Sequence, residues 1–195
     1  MTDSGKSGHL TPADAHVLIA SQTVGAGGAA SITFSSIPQT YRALEFRLLL
    51  RDSTSGVNLT SGNAWANLTM YLNGDTGNNY SWHLLDGYNG AAQANTGVSN
   101  IPLQGFMPAN SLAANVFGAA SITLTDYAST SKNTTTRALS GYNLNYAGTS
   151  YNAWNNGSIA FGSTAWYNTA AVTSVTFAAA TSWMQYSTVA MYGVQ

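Results

Sequence analysis

Cysteine is absent from this 195-residue chain, and charged residues make up only 7% of it. The first absence excludes disulfides, thiolate metal ligands and a cysteine nucleophile. The few charged residues are six Lys and Arg and seven Asp and Glu, which give a net charge of −1. Binding to nucleic acid or to an anionic membrane depends on clustered basic side chains, so the composition argues against both partners.

The chain also lacks the run of about 18 apolar residues that a membrane-spanning helix needs. Its N-terminal stretch, MTDSGKSGHLTPADAH, is polar where a secretory signal would carry an apolar segment. We therefore expect synthesis in the cytoplasm without export by a general secretory signal. We interpret residues 1–16 as a short flexible N-terminal arm and residues 17–195 as a single domain.

The low charge has a second consequence, because copies of the chain repel one another only weakly. We therefore expect the protein to associate with itself and to work within an assembly. A closed cyclic oligomer hides neutral polar surface and strand edges, and a trimer is the state that we predict.

The clearest strand is predicted over Tyr41–Asp52, where apolar residues occupy every second position. We call it the organising strand. A period of two is typical of a strand with one buried face. Similar segments, separated by Gly, Asn and Pro residues that favour turns, predict further strands. They are Val17–Val24, Ala30–Ser35, Ala64–Asn73, Tyr80–Asp86, Gly118–Tyr127, Thr134–Asn143, Ser158–Trp166, Ala171–Phe177 and Val189–Val194.

These strands, with no segment of sustained helical period, predict an all-β fold, a jelly-roll-like antiparallel β-sandwich. Within it, Val17–Val24 and Ala30–Ser35 are expected to form a hairpin around the glycine-rich turn between them. Two long polar stretches, Gly87–Asn115 and Tyr142–Asn156, are expected to be loops. Loops of this length are usually functional or held by a partner.

Catalysis is not expected. Glycoside hydrolysis requires two carboxylates that flank the bond to be cleaved, and the candidates are Asp75, Asp86 and Asp126. Each of them stands in a turn-like context, where an Asp side chain commonly caps the backbone instead. The sequence also contains no G-x-S-x-G nucleophile motif and no glycine-rich phosphate loop followed by Lys.

No metal or other cofactor is expected either. The segment Asn73–Asn79, NGDTGNN, offers the oxygen ligands that Ca²⁺ prefers, but it lacks the spaced acids and final Glu of an EF-hand loop. We interpret it as a structural turn. His9, His16 and His83 are too scattered to indicate a zinc site, and no Cys is present to complete one.

Aromatic residues are more numerous than one sandwich core requires, with 11 Tyr, 5 Trp and 6 Phe. Tyr and Trp combine a large apolar area with a polar tip, which suits both protein interfaces and sugar stacking. The stretch from Tyr142 to Trp154 shows no apolar alternation. It is the best candidate for a contact surface, through Tyr146, Tyr151 and Trp154.

Five segments, in order and in spacing, resemble a β-sandwich module that recurs in the structural proteins of tailed bacteriophage virions. They are Ser36–Leu44 with Arg47, Arg51 and Asp52; Tyr71–Tyr80 with His83 and Gly87; Asp126 and Tyr127 with Lys132, Thr136, Arg137 and Gly141; Trp166–Val175; and Met191–Val194. The match extends over residues 31–195. It departs from the family pattern at Leu72, where an aromatic residue is common, and at Val194, where Ile is common.

The resemblance implies a non-enzymatic component of the virion. We expect a capsid decoration (cement) protein on the outer capsid surface, with itself and the major capsid protein or other virion proteins as partners. Its arm, through His9, Leu10 and His16, would clamp adjacent capsomers, and many weak contacts repeated over the lattice would stabilise it. The alternative is a tail or fibre protein that contributes to host adsorption by binding a glycan.

Overall fold

The computed structural model describes residues 15–55, 65–88, 91–110, 114–143 and 157–195. These ranges contain strands and the turns between them, and none of their segments is a helix long and apolar enough to cross a membrane. The strands are β1 (His16–Thr23), β2 (Ala29–Phe34), β3 (Ala43–Leu50), β4 (Trp65–Leu72), β5 (Tyr80–Tyr88), β6 (Ala91–Ser99), β7 (Leu103–Pro108), β8 (Gly118–Thr125), β9 (Thr134–Asn143), β10 (Gly157–Trp166), β11 (Val175–Trp183) and β12 (Thr188–Val194).

The strands form two antiparallel sheets that pack against each other. The smaller sheet has the order β2-β11-β4-β7, and the larger has the order β1-β12-β3-β8-β9-β10-β5-β6. The chain winds as nested pairs, β1 with β12, β2 with β11, β3 with β8 and β4 with β7, and successive pairs alternate between the two sheets. This is the winding of a jelly roll, so the predicted fold class is confirmed.

Four further strands widen the larger sheet beyond the jelly roll. β5 and β6 are inserted between β4 and β7, and β9 and β10 are inserted between β8 and β11. They continue the sheet from β8 in the order β9-β10-β5-β6. The inner side of this extension packs against β7 of the smaller sheet. Its outer side is the surface from which the candidate site is built.

The predicted organising strand becomes β3, at the centre of the jelly-roll part of the larger sheet. It pairs with β12 on one side and with β8 on the other. Leu44, Phe46 and Leu50 are fully buried against the smaller sheet. The ring of Phe46 meets the ring of Phe177 edge-on, with 5.2 Å between their centroids. Burial of apolar surface of this kind is the dominant favourable contribution to folding.

The predicted hairpin between the first two strands is wrong. β1 pairs with β12 in the larger sheet, whereas β2 pairs with β11 in the smaller one. The glycine-rich segment between them carries the chain from one sheet to the other, with Gly28 at a φ of 71°. Glycine adopts that conformation without the steric cost of a side chain. Periodicity indicates strands but not their partners, so the nearest neighbour in sequence was not the neighbour in space.

The prediction of a loop over Gly87–Asn115 is also wrong, because this stretch contains β6 and β7. β6 consists of small and polar residues, AAQANTGVS, which give no apolar alternation. β7 is buried on both faces except at Phe106. Pro102 precedes it and Pro108 ends it, and proline is typical of loops and turns. The first two residues of the second predicted loop, Tyr142 and Asn143, belong to β9. The loop's residues 144–156, like residues 1–14 of the arm, lie outside the described ranges.

Candidate interaction surface

Six residues were predicted to form interfaces, and the structure describes one of them, His16. The others lie outside the described ranges; they are His9, Leu10, Tyr146, Tyr151 and Trp154. His16 begins β1, and its Nε2 lies 2.9 Å from Oε2 of Glu45 on β3. The side chain is thus engaged within the chain, at the junction between the predicted arm and the larger sheet.

Glu45 is the centre of a small charged cluster on the outer face of the larger sheet. Besides its contact with His16, its Oε1 accepts a hydrogen bond of 2.8 Å from Nε of Arg47. The Arg47 guanidinium lies 4.6 Å from the ring centroid of Tyr192. Partial burial raises the pKa of Glu45, but hydrogen bonds from Arg47 and His16 outweigh it, so the pKa lies below its ordinary value. The cluster joins β1, β12 and β3.

An apolar patch lies farther along the same outer face, on the widened part of the sheet. Leu139 of β9, Phe161 of β10 and Leu85 of β5 are directly opposite one another in the strand register. These residues are 50%, 53% and 57% exposed, and Ile159 on the same face of β10 is 59% exposed. Leu85, Leu139, Ile159 and Phe161 are called the apolar patch below. Clusters of exposed apolar side chains commonly mark interaction sites.

A polar row runs beside the apolar patch. Arg137 of β9, Ser163 of β10, His83 of β5 and Thr96 of β6 follow one another across the register. All but Ser163 are exposed, and Ser163 is half-buried. The surface therefore combines an apolar centre with hydrogen-bonding side chains at its border, which is the general composition of protein interfaces.

The apolar patch arises because, in the middle of β10, the large residues Ile159 and Phe161 face outward and the small residues Ala160 and Gly162 face inward. Ala160 is 1% exposed, and a Cβ added to the inward-facing Gly162 would lie 3.3 Å from the carbonyl oxygen of Gln104 on β7. β7 passes so close to the sheet that only small residues fit beneath it. Ile159 and Phe161 consequently point outward. These two residues were not predicted to form an interface, because apolar residues in a strand are ordinarily expected to be buried.

A buried polar layer holds β7 against the extension. The Thr136 hydroxyl donates to Oε1 of Gln104 at 2.8 Å, and the Thr164 hydroxyl donates to the carbonyl oxygen of Leu103 at 2.6 Å. Both threonines and Gln104 are nearly inaccessible to solvent. Hydrogen bonding compensates for the cost of burying polar groups. The layer fixes the position of β7 and thus the outward orientation of the apolar patch.

Asp75 belongs to the turn between β4 and β5, as interpreted from the sequence. Its Oδ2 accepts hydrogen bonds from Nε1 of Trp166 at 2.7 Å and from Nδ2 of Asn79 at 2.9 Å, and its Oδ1 accepts one from the Gly77 N–H at 2.8 Å. The Trp166 bond, followed by those from Asn79 and Gly77, holds the pKa of Asp75 below its ordinary value. Among the described residues, no group of three or more metal-ligating side chains could hold a metal ion.

We predict that Asp75→Asn lowers the free energy of unfolding at neutral pH by about 1 kcal/mol, since the site is only partly buried. A depressed carboxylate pKa contributes stability that is complete above the unfolded-state value, near 3.8, and is lost as the pH falls through the folded-state value. The difference between wild type and variant should therefore shrink below about pH 4. Urea unfolding between pH 3 and pH 7 measures it. A difference independent of pH would contradict this assignment.

The other two carboxylates considered for glycan cleavage have different surroundings. Asp86 lies within β5, paired with Ala160 of β10, and is only 3% exposed, so its interpretation as a turn residue is wrong. Asp126 lies in the turn after β8, where its exposed Oδ2 accepts from Nζ of Lys132 at 2.5 Å. Asp126 also has a φ of 52°, which Asp tolerates better than most residues. The interpretation of Asp126 as a turn residue, like that of Asp75, fits these contacts.

The five segments that carry the family resemblance form one hydrogen-bonded network. The first segment contacts the third, fourth and fifth, and the second contacts the fourth. The backbone and side-chain bonds are Asp126 N–H to Arg42 O at 3.0 Å, Arg42 N–H to Val194 O at 2.9 Å, Ile37 N–H to Thr173 O at 3.1 Å and Thr173 N–H to Asn73 Oδ1 at 2.8 Å. These four bonds connect loops and strand ends. The second and third segments also reach the apolar patch, since Gly87 and Gly141 lie opposite Ile159 in the strand register.

Comparison with known proteins identifies no relative of this chain. No protein-family model matches it, and neither a curated protein nor a solved structure does so. The resemblance to virion β-sandwich modules stays a prediction that rests on the five segments.

Proposed function

We propose that this chain is a non-enzymatic structural protein of a bacteriophage virion and that it decorates the outer capsid surface. The observation that carries the proposal is the apolar patch on the outer face of the widened sheet, which fits a surface that another protein covers. The five resembling segments supply the virion context. The jelly roll agrees with it, since viral capsid proteins and lectins both use this architecture, but a fold alone does not select a function.

The proposed contact is between the apolar patch and the capsid lattice. Leu139, Phe161 and Leu85 would be covered by a capsid subunit, which removes apolar area from water. Arg137 and His83, in the adjacent polar row, would set the orientation through hydrogen bonds at the rim. One such contact is small, and its repetition over the lattice, together with the predicted arm contacts, supplies the avidity.

Immunogold electron microscopy of intact virions with an antibody against this chain tests the proposal. Gold distributed over the head supports capsid decoration. Gold confined to the tail would contradict decoration and favour the tail or fibre alternative, in which the aromatic residues Tyr146, Tyr151 and Trp154 bind a host glycan. If no virion particle carried gold, on the head or on the tail, the virion assignment itself would be contradicted.

We predict that Phe161→Asn weakens binding to empty capsid shells at least about tenfold, because a buried aromatic anchor commonly contributes 2 kcal/mol or more to an interface. The free energy of unfolding should fall by about 1–2 kcal/mol, because Phe161 is half-buried opposite Leu85 and Leu139 and Asn is disfavoured within a strand. Tyr186→Asn is a matched control, because Tyr186 is an exposed aromatic outside the patch with a φ of 72° that Asn tolerates.

Co-sedimentation of purified protein with the shells measures both variants. If Phe161→Asn bound as tightly as the wild type, or if Tyr186→Asn lost binding to the same extent, the apolar patch would not be the contact surface.

A further inference from the structure

We propose that β6 is an interface between two copies of this chain. The β6 strands of the two copies pair antiparallel across a twofold axis and join two eight-stranded sheets into one. This inference does not depend on the virion assignment, because it follows from the edge of the sheet alone.

β6 is the last strand of the larger sheet, and it is regular throughout. It pairs with β5 over nine consecutive residue pairs, from Tyr80 with Ser99 to Tyr88 with Ala91, without a register shift. No strand among the described residues pairs with its other side. Alternate N–H and C=O groups along that side are therefore positioned for a further strand.

The other edge strands of the described part of the molecule are interrupted or capped, as is usual in proteins that avoid edge-to-edge association. In β1 the register shifts between Leu18 and Ala20. The pairing of β7 with β4 is shifted as well, and β7 ends at Pro108. On β2, the carbonyl oxygen of Thr33 accepts a hydrogen bond of 2.6 Å from Nε2 of Gln22. β6 has no charged residue, no proline and no bulge.

The outer-face side chains of β6 are complementary to themselves. Ala94, Thr96 and Val98 lie opposite Leu85, His83 and Ser81 of β5, which places them on the outer face. Val98 is 72% exposed, the largest value among the exposed large apolar residues of the described ranges. A twofold axis at Thr96 puts each Thr96 opposite its copy and each Val98 opposite Ala94 of the partner copy.

This register also explains the exposure of Val98. The row Leu139, Phe161, Leu85 and Ala94 runs across four strands of one copy. In the proposed pairing it continues directly into Val98 of the partner copy, so an apolar side chain at a free edge gains an apolar neighbour. Threonine pairs and apolar pairs at directly opposite positions are both favourable in antiparallel sheets.

Electrostatics do not oppose the pairing. Among the described residues, the ionisable side chain nearest to the axis on the outer face is His83, which lies one strand away from Thr96. Two copies of His83 would be three strand spacings apart, about 14 Å, and charges at that distance are largely screened at physiological ionic strength. A second copy is favoured over a charged partner because the edge itself is neutral. The pairing predicts a dimer, whereas composition alone predicted a trimer.

The mass of the protein in solution tests the proposal. Size-exclusion chromatography with light scattering should give the dimer mass for the wild type and the monomer mass for Thr96→Lys, because the two lysines would be directly opposite each other. Thr135→Lys is the matched control, since Thr135 is an exposed residue of β9 on the same face but within the sheet. It should remain dimeric, and thermal unfolding should show that both variants are folded.

A single-cysteine variant tests the register. The chain contains no Cys, so a disulfide-linked dimer of Thr96→Cys would join position 96 to its copy. Directly opposite Cβ atoms in antiparallel strands are about 4.5–5.5 Å apart, close enough for a disulfide after a small adjustment. Mild oxidation should cross-link Thr96→Cys and leave Thr135→Cys monomeric on a denaturing gel.

Three results would overturn the proposal. They are a wild type that is monomeric, an oligomer whose mass is unaffected by Thr96→Lys, and equal cross-linking of the two single-cysteine variants. If β6 paired only with a strand of another protein, the purified wild-type chain would be monomeric, which is the first of these results.

Discussion

Replacing Asp52 with Asn is expected to lower the free energy of unfolding by about 3 kcal/mol. The Asp52 carboxylate is completely buried just after β3. Its Oδ2 accepts the N–H groups of Ala180 and Thr181 at 3.0 and 3.2 Å, and its Oδ1 accepts the N–H of Thr54 at 2.7 Å and the Thr54 hydroxyl. An Asn amide would direct an NH₂ group toward these donors and leave buried polar groups unpaired.

Urea unfolding of Asp52→Asn and of Asp126→Asn at neutral pH measures the effect. Asp126→Asn is the control, because it removes an exposed carboxylate whose side-chain partner in the described part of the chain is Lys132 at the surface. Such a pair contributes about 0–1 kcal/mol. Asn also tolerates the positive φ of Asp126. Equal losses in the two variants would contradict the assignment of Asp52 as the buried acceptor that joins β3 to β11.

Gly105→Ala is expected to destabilise the protein by about 3 kcal/mol or more. Gly105 has a φ of 142°, a conformation that costs a residue with a side chain about 1–3 kcal/mol. A Cβ on Gly105 would also lie 2.9 Å from Cβ of Ser140 and closer still to its hydroxyl oxygen. Overpacking of a tight interior commonly costs a further 1–3 kcal/mol.

A double-mutant cycle separates the steric contribution from the backbone strain. Ser140→Gly removes the clashing atoms, so the double variant should lose less stability than the sum of the two single variants. Gly25→Ala is the control, because a Cβ at Gly25 would have no neighbour within 4 Å. Additive losses in the cycle would show that β7 does not approach β9 as closely as described.

These two sites show how the fold produces the candidate surface. Asp52 holds the end of the central strand to the other sheet, and Gly105 permits the close approach of β7 to β9 and β10. Because β7 is so close, the interior beneath it accepts only small residues such as Ala160 and Gly162. The outward orientation of Ile159 and Phe161 is therefore a consequence of packing on the opposite side of the sheet.

Local sequence patterns were sufficient to predict most strands. β9 was predicted as Thr134–Asn143 and has those bounds in the structure. β4 falls within the predicted strand Ala64–Asn73, and its alternate residues Ala66, Leu68, Met70 and Leu72 are buried. Both strands alternate in polarity or size along the chain, and side chains of a strand point alternately to its two faces. β6 and β7 lack an alternation of apolar and polar residues, and a loop was therefore predicted over both.

The sequence by itself determined the all-β class, the absence of cysteine chemistry, the low charge and the positions of most strands, because these depend on composition and on periodicity over a few residues. The tertiary structure decided which strands are neighbours and which face of each strand is covered. In it, β1 and β2 belong to different sheets, β7 of the smaller sheet packs against the extension of the larger sheet, and β6 lies at an edge. Strand pairing joins residues far apart in sequence, and the covering of a face depends on the shape of the element packed against it, so neither is encoded in a local pattern.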